Sequence, residues 1–240
     1  MLRTFGAVTT ETSPSTPAAA PTGCPSMTVG RKPDRQTDDP AVLDAILADG
    51  FLAHVAMVRD GYPVVLPYLY GVGDLDDGLG RRLLLHGSTG AGLFLDAGTD
   101  GVPVSVGISH LDGLVYARSL NDSSANYRSA MIVGRATVVP RDLRVEALWQ
   151  ISDHLMPGRR AEVREMTGKE VAATQVLQVP LDRVSVKTRT GGAGEDPDDG
   201  ENHGVWAGVL PLAVRAGTPE PSALSTGPVA PSVAALAARL

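Results

Sequence analysis

The sequence predicts a mainly β protein with flanking helices: a small antiparallel barrel carrying helices at its edges. Three observations lead there. Apolar residues alternate with period two in successive short segments between Phe51 and Thr188. Most of those segments follow one another through short turn signals, not helical crossovers, which excludes a parallel doubly wound sheet. No glycine-rich dinucleotide fingerprint follows any strand.

The elements run in order as follows. Asp38-Asp39-Pro40 is a helix entry, with proline in the first turn and acids near the positive end of the dipole. Val42, Leu43, Ile46 and Leu47 follow helical spacing, and Gly50 ends the run. Phe51 to Val58 and Pro63 to Tyr70 are strands joined at Asp60-Gly61, a tight-hairpin signal. Pro67 cannot donate to a ladder, so its strand lies at an edge or carries a bulge. Gly71 to Arg81 is a polar loop, and Arg82 to His86 a third strand. Gly87 to Gly90 opens a short helix, Ala91 to Ala97. Val102 to Ser109 and Gly113 to Ser119 form a second hairpin that turns at His110-Leu111-Asp112. Tyr127 to Val139 is a long strand. Arg141 to Leu155 places Leu143, Ala147, Leu148, Ile151 and Leu155 on one helical face. Thr167 to Glu170 fits a capping box. Val176 to Thr188 is the final strand, and a short helix ends the chain near Val233 to Leu240.

This organisation predicts four regions. Residues 1–26 are rich in Thr, Ser, Pro and Ala and are expected to be disordered, with Met27 a second candidate start. Residues 27–190 form the barrel domain. Residues 191–203 are a mobile acidic loop. Residues 204–240 pack on the barrel or on a dimer partner.

Bulk properties narrow the function. The 240 residues are 43% hydrophobic and 20% charged, ordinary for a globular domain. The net charge of −6, with no basic block, argues against nucleic-acid binding. A bound anion would have to be held locally, by a few cations and backbone amides. The single cysteine, Cys24, forms no intrachain disulfide, and no apolar run reaches membrane-span or signal-peptide length. The cytosol is the expected compartment. No His or Cys spacing suits a metal; His54, within a strand, reads as structural.

Four segments could carry chemistry. In the first, Leu85-His86-Gly87-Ser88-Thr89-Gly90, a buried strand ends in small residues at a helix start, where free amides and two hydroxyls suit a phosphate. Taken singly it reads as a plain N-cap. In Asn126-Tyr127-Arg128-Ser129, the arginine could clamp a phosphate bidentately, or pair with one of the 27 acids. Pro63-Val64-Val65-Leu66-Pro67-Tyr68-Leu69-Tyr70 is an interrupted strand whose backbone groups are available to a planar polar ring, or a strand with one kink and a core tyrosine. Trp206, in the apolar island 204–212, could stack on an aromatic ligand or anchor the C-terminal segment.

Taken together these segments, with Arg31-Lys32-Pro33-Asp34-Arg35-Gln36 before them, resemble the pyridoxamine 5′-phosphate oxidase-related flavoproteins, and within these the nitroimidazole-resistance proteins. The resemblance runs from about Arg31 to Leu212. It implies a six-stranded split β-barrel of the FMN-binding type, a homodimer, and FMN at the dimer interface. It also implies that Val65, Leu66, Pro67 and Tyr68 lie along the isoalloxazine. His86, Gly87, Ser88 and Thr89 would lie near the ring and its phosphate side, and Tyr127, Arg128 and Ser129 would complete the pocket. Lys187 and Trp206 are further contacts. His86 is the catalytic candidate, placed to supply or orient a proton. The phosphate-binding Arg and Lys set of true pyridoxamine-phosphate oxidases has no clear match, which puts vitamin B6 chemistry in doubt. The expected function is electron transfer from reduced flavin to a small-molecule acceptor. The alternative is a non-catalytic flavin-, deazaflavin- or haem-binding protein of the same fold.

Overall fold

The computed structural model describes residues 26–90, 92–194, 196 and 204–240. All but the last residue of the 1–26 tail expected to be disordered, Cys24 within it, and most of the acidic loop therefore lie outside the described residues. Among the described residues there are nine strands, not six: β1 Gln36–Thr37, β2 Leu52–Arg59, β3 Tyr62–Gly73, β4 Arg82–Ser88, β5 Val102–Tyr116, β6 Ser124–Val138, β7 Thr174–Pro180, β8 Val184–Arg189 and β9 Gly208–Pro211. Five α-helices accompany them: α1 Pro40–Asp49, α2 Gly92–Ala97, α3 Arg144–Leu155, α4 Gly168–Ala173 and α5 Pro231–Arg239.

Local chemistry accounts for the elements that were legible. Asp39 caps α1, its carboxylate accepting from the Ala41 amide at 2.9 Å, with Pro40 in the first turn. Asp60 (φ 51°) and Gly61 (φ 78°) form a two-residue left-handed turn between β2 and β3, the geometry that suits a twisted hairpin. Thr167 and Glu170 form the reciprocal capping box of α4.

Two expectations fail. The second hairpin is one continuous strand: β5 pairs with β6 from Val102↔Ala136 to Val115↔Ser124, with a register shift between Leu111 and Gly113 where a turn was expected. Asp112 there is held by Arg128 across the ladder instead of capping a turn. The last strand is two strands, because Pro180 cannot extend the ladder and the chain turns at 181–183 before β8.

All pairings are antiparallel. Six strands close a ring in the order β2-β3-β4-β7-β6-β5, while β8 extends β6, β1 extends β8 and β9 extends β5. Following the register from Met131 through Gly107, His54 and Pro67, then across β4 and β7, returns to β6 about ten residues further along, the stagger that closing a sheet demands. The ring parts in one place. β3 pairs with β4 only from Tyr70↔Leu85 onward, so Tyr62–Leu69 has β2 alone as partner, which accommodates Pro63 and Pro67.

Two cores result. Ala53, Val55, Leu83, Leu85, Phe94, Val106, Ile132 and Leu177 fill the ring. Leu84, Val139, Ala147, Ile151 and Val176 form a second cluster between β4, β7 and α3. The C-terminal end of α1 is tied down by three side chains. Tyr70 Oη donates to Leu47 O at 2.8 Å, His110 Nε2 to Ile46 O at 2.9 Å, and His154 Nε2 to Gly50 O at 2.8 Å. No helix of the described residues is long and apolar enough to cross a membrane.

Candidate functional site

The expected contact residues fall into two groups. The first surrounds α2 and the parting of the ring. Strand alternation splits Val65–Tyr68 between faces: Leu66 and Tyr68 pack inward against the core, while Val65 and Pro67 face out and are exposed. Tyr68 meets Phe94 edge-on, with ring centroids 6.0 Å apart, and burial pushes its phenol pKa up. Gly87 faces the same ring of Phe94; a Cβ there would lie 2.3 Å from Phe94 Cε2. The glycine is therefore required for core packing as well as for any ligand approach. Ser88 Oγ accepts from the Gly90 amide at 3.3 Å, a local turn, and the Thr89 amide donates to Ala173 O.

His86 lies beside the parting, on the face of β4 that carries Leu84, not the face of Gly87. Its Nδ1 is buried and has no hydrogen-bond partner. Burial lowers its pKa below the ordinary imidazole value, so at neutral pH the ring is uncharged.

The second group lies on β6 and β8. Ser129 Oγ donates to Lys187 O at 3.2 Å, and Tyr127 pairs with Arg189. Arg128 faces carboxylates: its Nε and Nη2 grip Asp112 bidentately at 3.0 Å each, and its Nη1 donates to Asp49 at 2.7 Å. These two carboxylates raise its pKa further, so its charge is already neutralised within the chain. Among the described residues no hydrogen bond or ion pair joins Arg128 to Ser88 or Thr89. The side chain expected to clamp a phosphate thus makes the alternative arrangement that its sequence allowed, a pairing with acids.

Beside this second group lies a polar cavity of about 670 Å³ that residue-by-residue reading did not locate. Arg31, Lys32, Arg35, Lys187 and Arg189 line it, together with the 121–124 loop. It forms because β1 pairs with β8 (Gln36↔Lys187), bringing the segment before β1 over the end of β8. Lys187 Nζ donates to Arg31 O at 3.0 Å, and Lys32 sits in the left-handed region (φ 56°) as the chain turns. Arg189 is braced by Asn126 and Gly192 O. None of the five cations takes part in an ion pair among the described residues. The loop forming one wall leads back to Tyr116, the last residue of β5, whose ring meets exposed Trp206 at 5.9 Å. The visible signal was the run of three cations in Arg31–Arg35; its partner, Lys187, lay more than 150 residues away.

A third feature is the outward face of β2, β3 and β5. His54 is exposed there between its cross-strand neighbours Pro67 and Gly107, with Leu52, Val65, Leu69 and Met131 exposed around it. His54 was read as structural; in the fold its side chain points outward.

The fold is thus a closed antiparallel ring of six strands with a cationic cavity on its surface, the architecture of a small β-barrel-like domain. Comparison with known proteins makes the class specific. The sequence profile of the pyridoxamine 5′-phosphate oxidase family matches residues 39–188, and the chain belongs to that family. Two solved structures align over most of both chains. The FAD and haem binding protein from Mycobacterium smegmatis is 38% identical, with 84% of this chain and 96% of that one covered and a TM-score of 0.76. A flavocytochrome from Azotobacter vinelandii is 31% identical, with 86% and 94% covered and a TM-score of 0.77. A provisionally assigned 5-nitroimidazole antibiotic resistance protein from Bacteroides thetaiotaomicron shares the fold at 19% identity, 63% and 85% coverage and a TM-score of 0.52. A comparison with curated proteins gave no match.

Proposed function

We propose that this protein is a flavin-nucleotide-binding redox protein of the split-barrel type, working as a homodimer and passing electrons from reduced flavin to a small-molecule acceptor. The observation that carries the reading is the cationic cavity: five basic side chains that form no ion pair among the described residues, with the single carboxylate of Asp122 on the same wall, suit the phosphate end of a flavin nucleotide, and the exposed Tyr116–Trp206 pair is a candidate surface for its flat rings. Arg31, Lys32, Arg35, Lys187 and Arg189 would hold the phosphates. The number of cations exceeds what one phosphate needs, which favours FAD over the FMN expected from sequence; the name of the Mycobacterium smegmatis relative also includes FAD. When bound, the flavin supplies the electron-transfer chemistry; the protein positions it and controls solvent and proton access.

In this reading the exposed apolar face of β2, β3 and β5, with Met131 of β6 beside it, is where the second copy packs. His86 lies in the other group, outside the cavity, so it could reach this flavin only from the second copy, where an imidazole uncharged at neutral pH would accept or orient a proton, not act as a standing acid. The test is the absorbance spectrum of the purified protein, followed by mass identification of the released cofactor. A colourless protein that takes up neither FAD nor FMN refutes the proposal, and released FMN alone refutes the preference for FAD.

A second reading adds a haem. The exposed imidazole of His54, set in an apolar sheet face opposite Gly107, where an added Cβ would meet nothing, would hold the haem iron, and the haem would supply one-electron chemistry. Haem also appears in the name of the Mycobacterium smegmatis relative. A Soret band that His54→Ala removes while the flavin bands remain would support it; a Soret band unchanged in that variant excludes His54 as ligand.

A further inference from the structure

We propose that the groove between α3 and α4 binds an amphiphilic organic carboxylate, gripped by Arg144 and Arg141. The inference is independent of the flavin reading, since the groove shares no lining residue with the cationic cavity.

Arg144 is the first residue of α3 and is only 9% exposed. Its Nε is buried without a hydrogen-bond partner, and among the described residues no hydrogen bond or ion pair involves its guanidinium. A donor held out of water with nothing to accept from it costs free energy, because its desolvation is left unopposed. Two acids lie within two residues of Arg144: Glu146, in the first turn, is engaged by Arg160 at 3.3 Å, and exposed Asp142 forms no ion pair with it among the described residues. The cap residue, Leu143, makes no side-chain bond to the first-turn amides, so the helix start adds its partial positive charge to the same place.

These groups open onto a cavity of about 360 Å³, with Arg141 as a second, exposed guanidinium on its wall. The remaining lining is largely apolar: Val145, Met166, Val171 and Ala172. Met166 also lines an adjoining cavity of about 440 Å³ that contains Leu148 and Trp149. Trp149 is 4% exposed, and its Nε1 is a second buried donor with no partner. A ligand that satisfies this groove carries its negative charge at one end and an apolar body at the other. A bare phosphate would meet the arginines but leave the apolar wall uncovered. An alcohol of the same length would cover the wall and leave the guanidinium unpaired.

The experiment is calorimetric titration of the purified, cofactor-loaded protein with sodium octanoate, inorganic phosphate and 1-octanol, paired with thermal melts. Octanoate is expected to bind at least tenfold more tightly than either control and to raise Tm with concentration. Arg144→Met should raise the ligand-free Tm, because it removes an unpaired buried charge, and weaken octanoate at least tenfold. Arg141→Gln, a surface change, should weaken octanoate several-fold with Tm unchanged, and it decides the matter if Arg144→Met does not fold. Phosphate or octanol binding as tightly as octanoate overturns the amphiphile. An unchanged octanoate affinity in both variants, or no octanoate binding at all, overturns the site. A fall in ligand-free Tm for Arg144→Met shows that the guanidinium serves the fold.

Discussion

Arg35→Gln isolates the cationic cavity from the fold that carries it. The Arg35 side chain is half-buried on the cavity wall and makes no hydrogen bond or ion pair among the described residues, while its backbone amide donates to Lys32 O at 3.1 Å. The substitution therefore removes one positive charge and little else, and folding stability should stay within about 0.5 kcal/mol of the parent. A charge-assisted hydrogen bond to phosphate is worth roughly 1.5–3 kcal/mol. At about 1.4 kcal/mol per decade, flavin affinity should fall by roughly 10- to 150-fold. The assay is titration of flavin-free protein with FAD, followed by flavin fluorescence, at 0.1 M and 1 M salt. Screening shortens the Debye length from about 10 Å to about 3 Å over that range, so the parent should lose more affinity than the variant. Arg81→Gln is the control. It removes the same charge from an exposed pair with Asp44, outside the cavity, and should leave FAD affinity unchanged. A FAD affinity within twofold of the parent in Arg35→Gln, with the melt unchanged, would refute the assignment of this cavity to the phosphates.

Tyr70→Phe should cost about 1–3 kcal/mol, since it leaves the Leu47 carbonyl at the end of α1 without its buried donor; chemical denaturation measures it, and a loss under 0.5 kcal/mol would contradict that role. Gly87→Ala drives a methyl group into the Phe94 ring and should destabilise by about 1–3 kcal/mol in melts of flavin-free protein; an unchanged melt would show that Phe94 is free to move. Acid should weaken the fold through His86 and His154, whose pKa values burial lowers. Both rings are neutral in folded and unfolded chains well above about pH 6.5. As the pH falls below that value the unfolded chain takes up protons first, so stability is lost. Tm should drop from pH 7 to pH 5, and His154→Gln should flatten the slope; an equal slope in parent and variant would remove His154 from the explanation.

The elements legible in the sequence were those with local causes. The Asp39-Pro40 helix start, the Asp60-Gly61 hairpin and the Thr167–Glu170 capping box each depend on residues within a few positions of one another. The two failures share a cause as well. Asp112 looked like a turn residue because its partner, Arg128, is supplied by the neighbouring strand. Residues 176–188 looked continuous because alternation persists through the turn after Pro180. The same limit governed the site. Arg128 had two readings, clamp or ion pair, and only the placement of Asp49 and Asp112 around it selected between them.

By itself, then, the order of residues determined an antiparallel, mainly β chain, its family, and the local signals that begin and end its helices and hairpins. The β class and the local signals follow from backbone sterics, capping and hydrophobic period, which act over a few residues, while the family was legible as a resemblance carried by short motifs in order. Tertiary structure alone decided the ring closure, the gathering of Arg31, Lys32, Arg35, Lys187 and Arg189 around one cavity, the outward aim of His54 and the burial of Arg144 without a counter-charge. Charge and burial depend on distances through space, and strand pairing across more than 150 residues sets those distances.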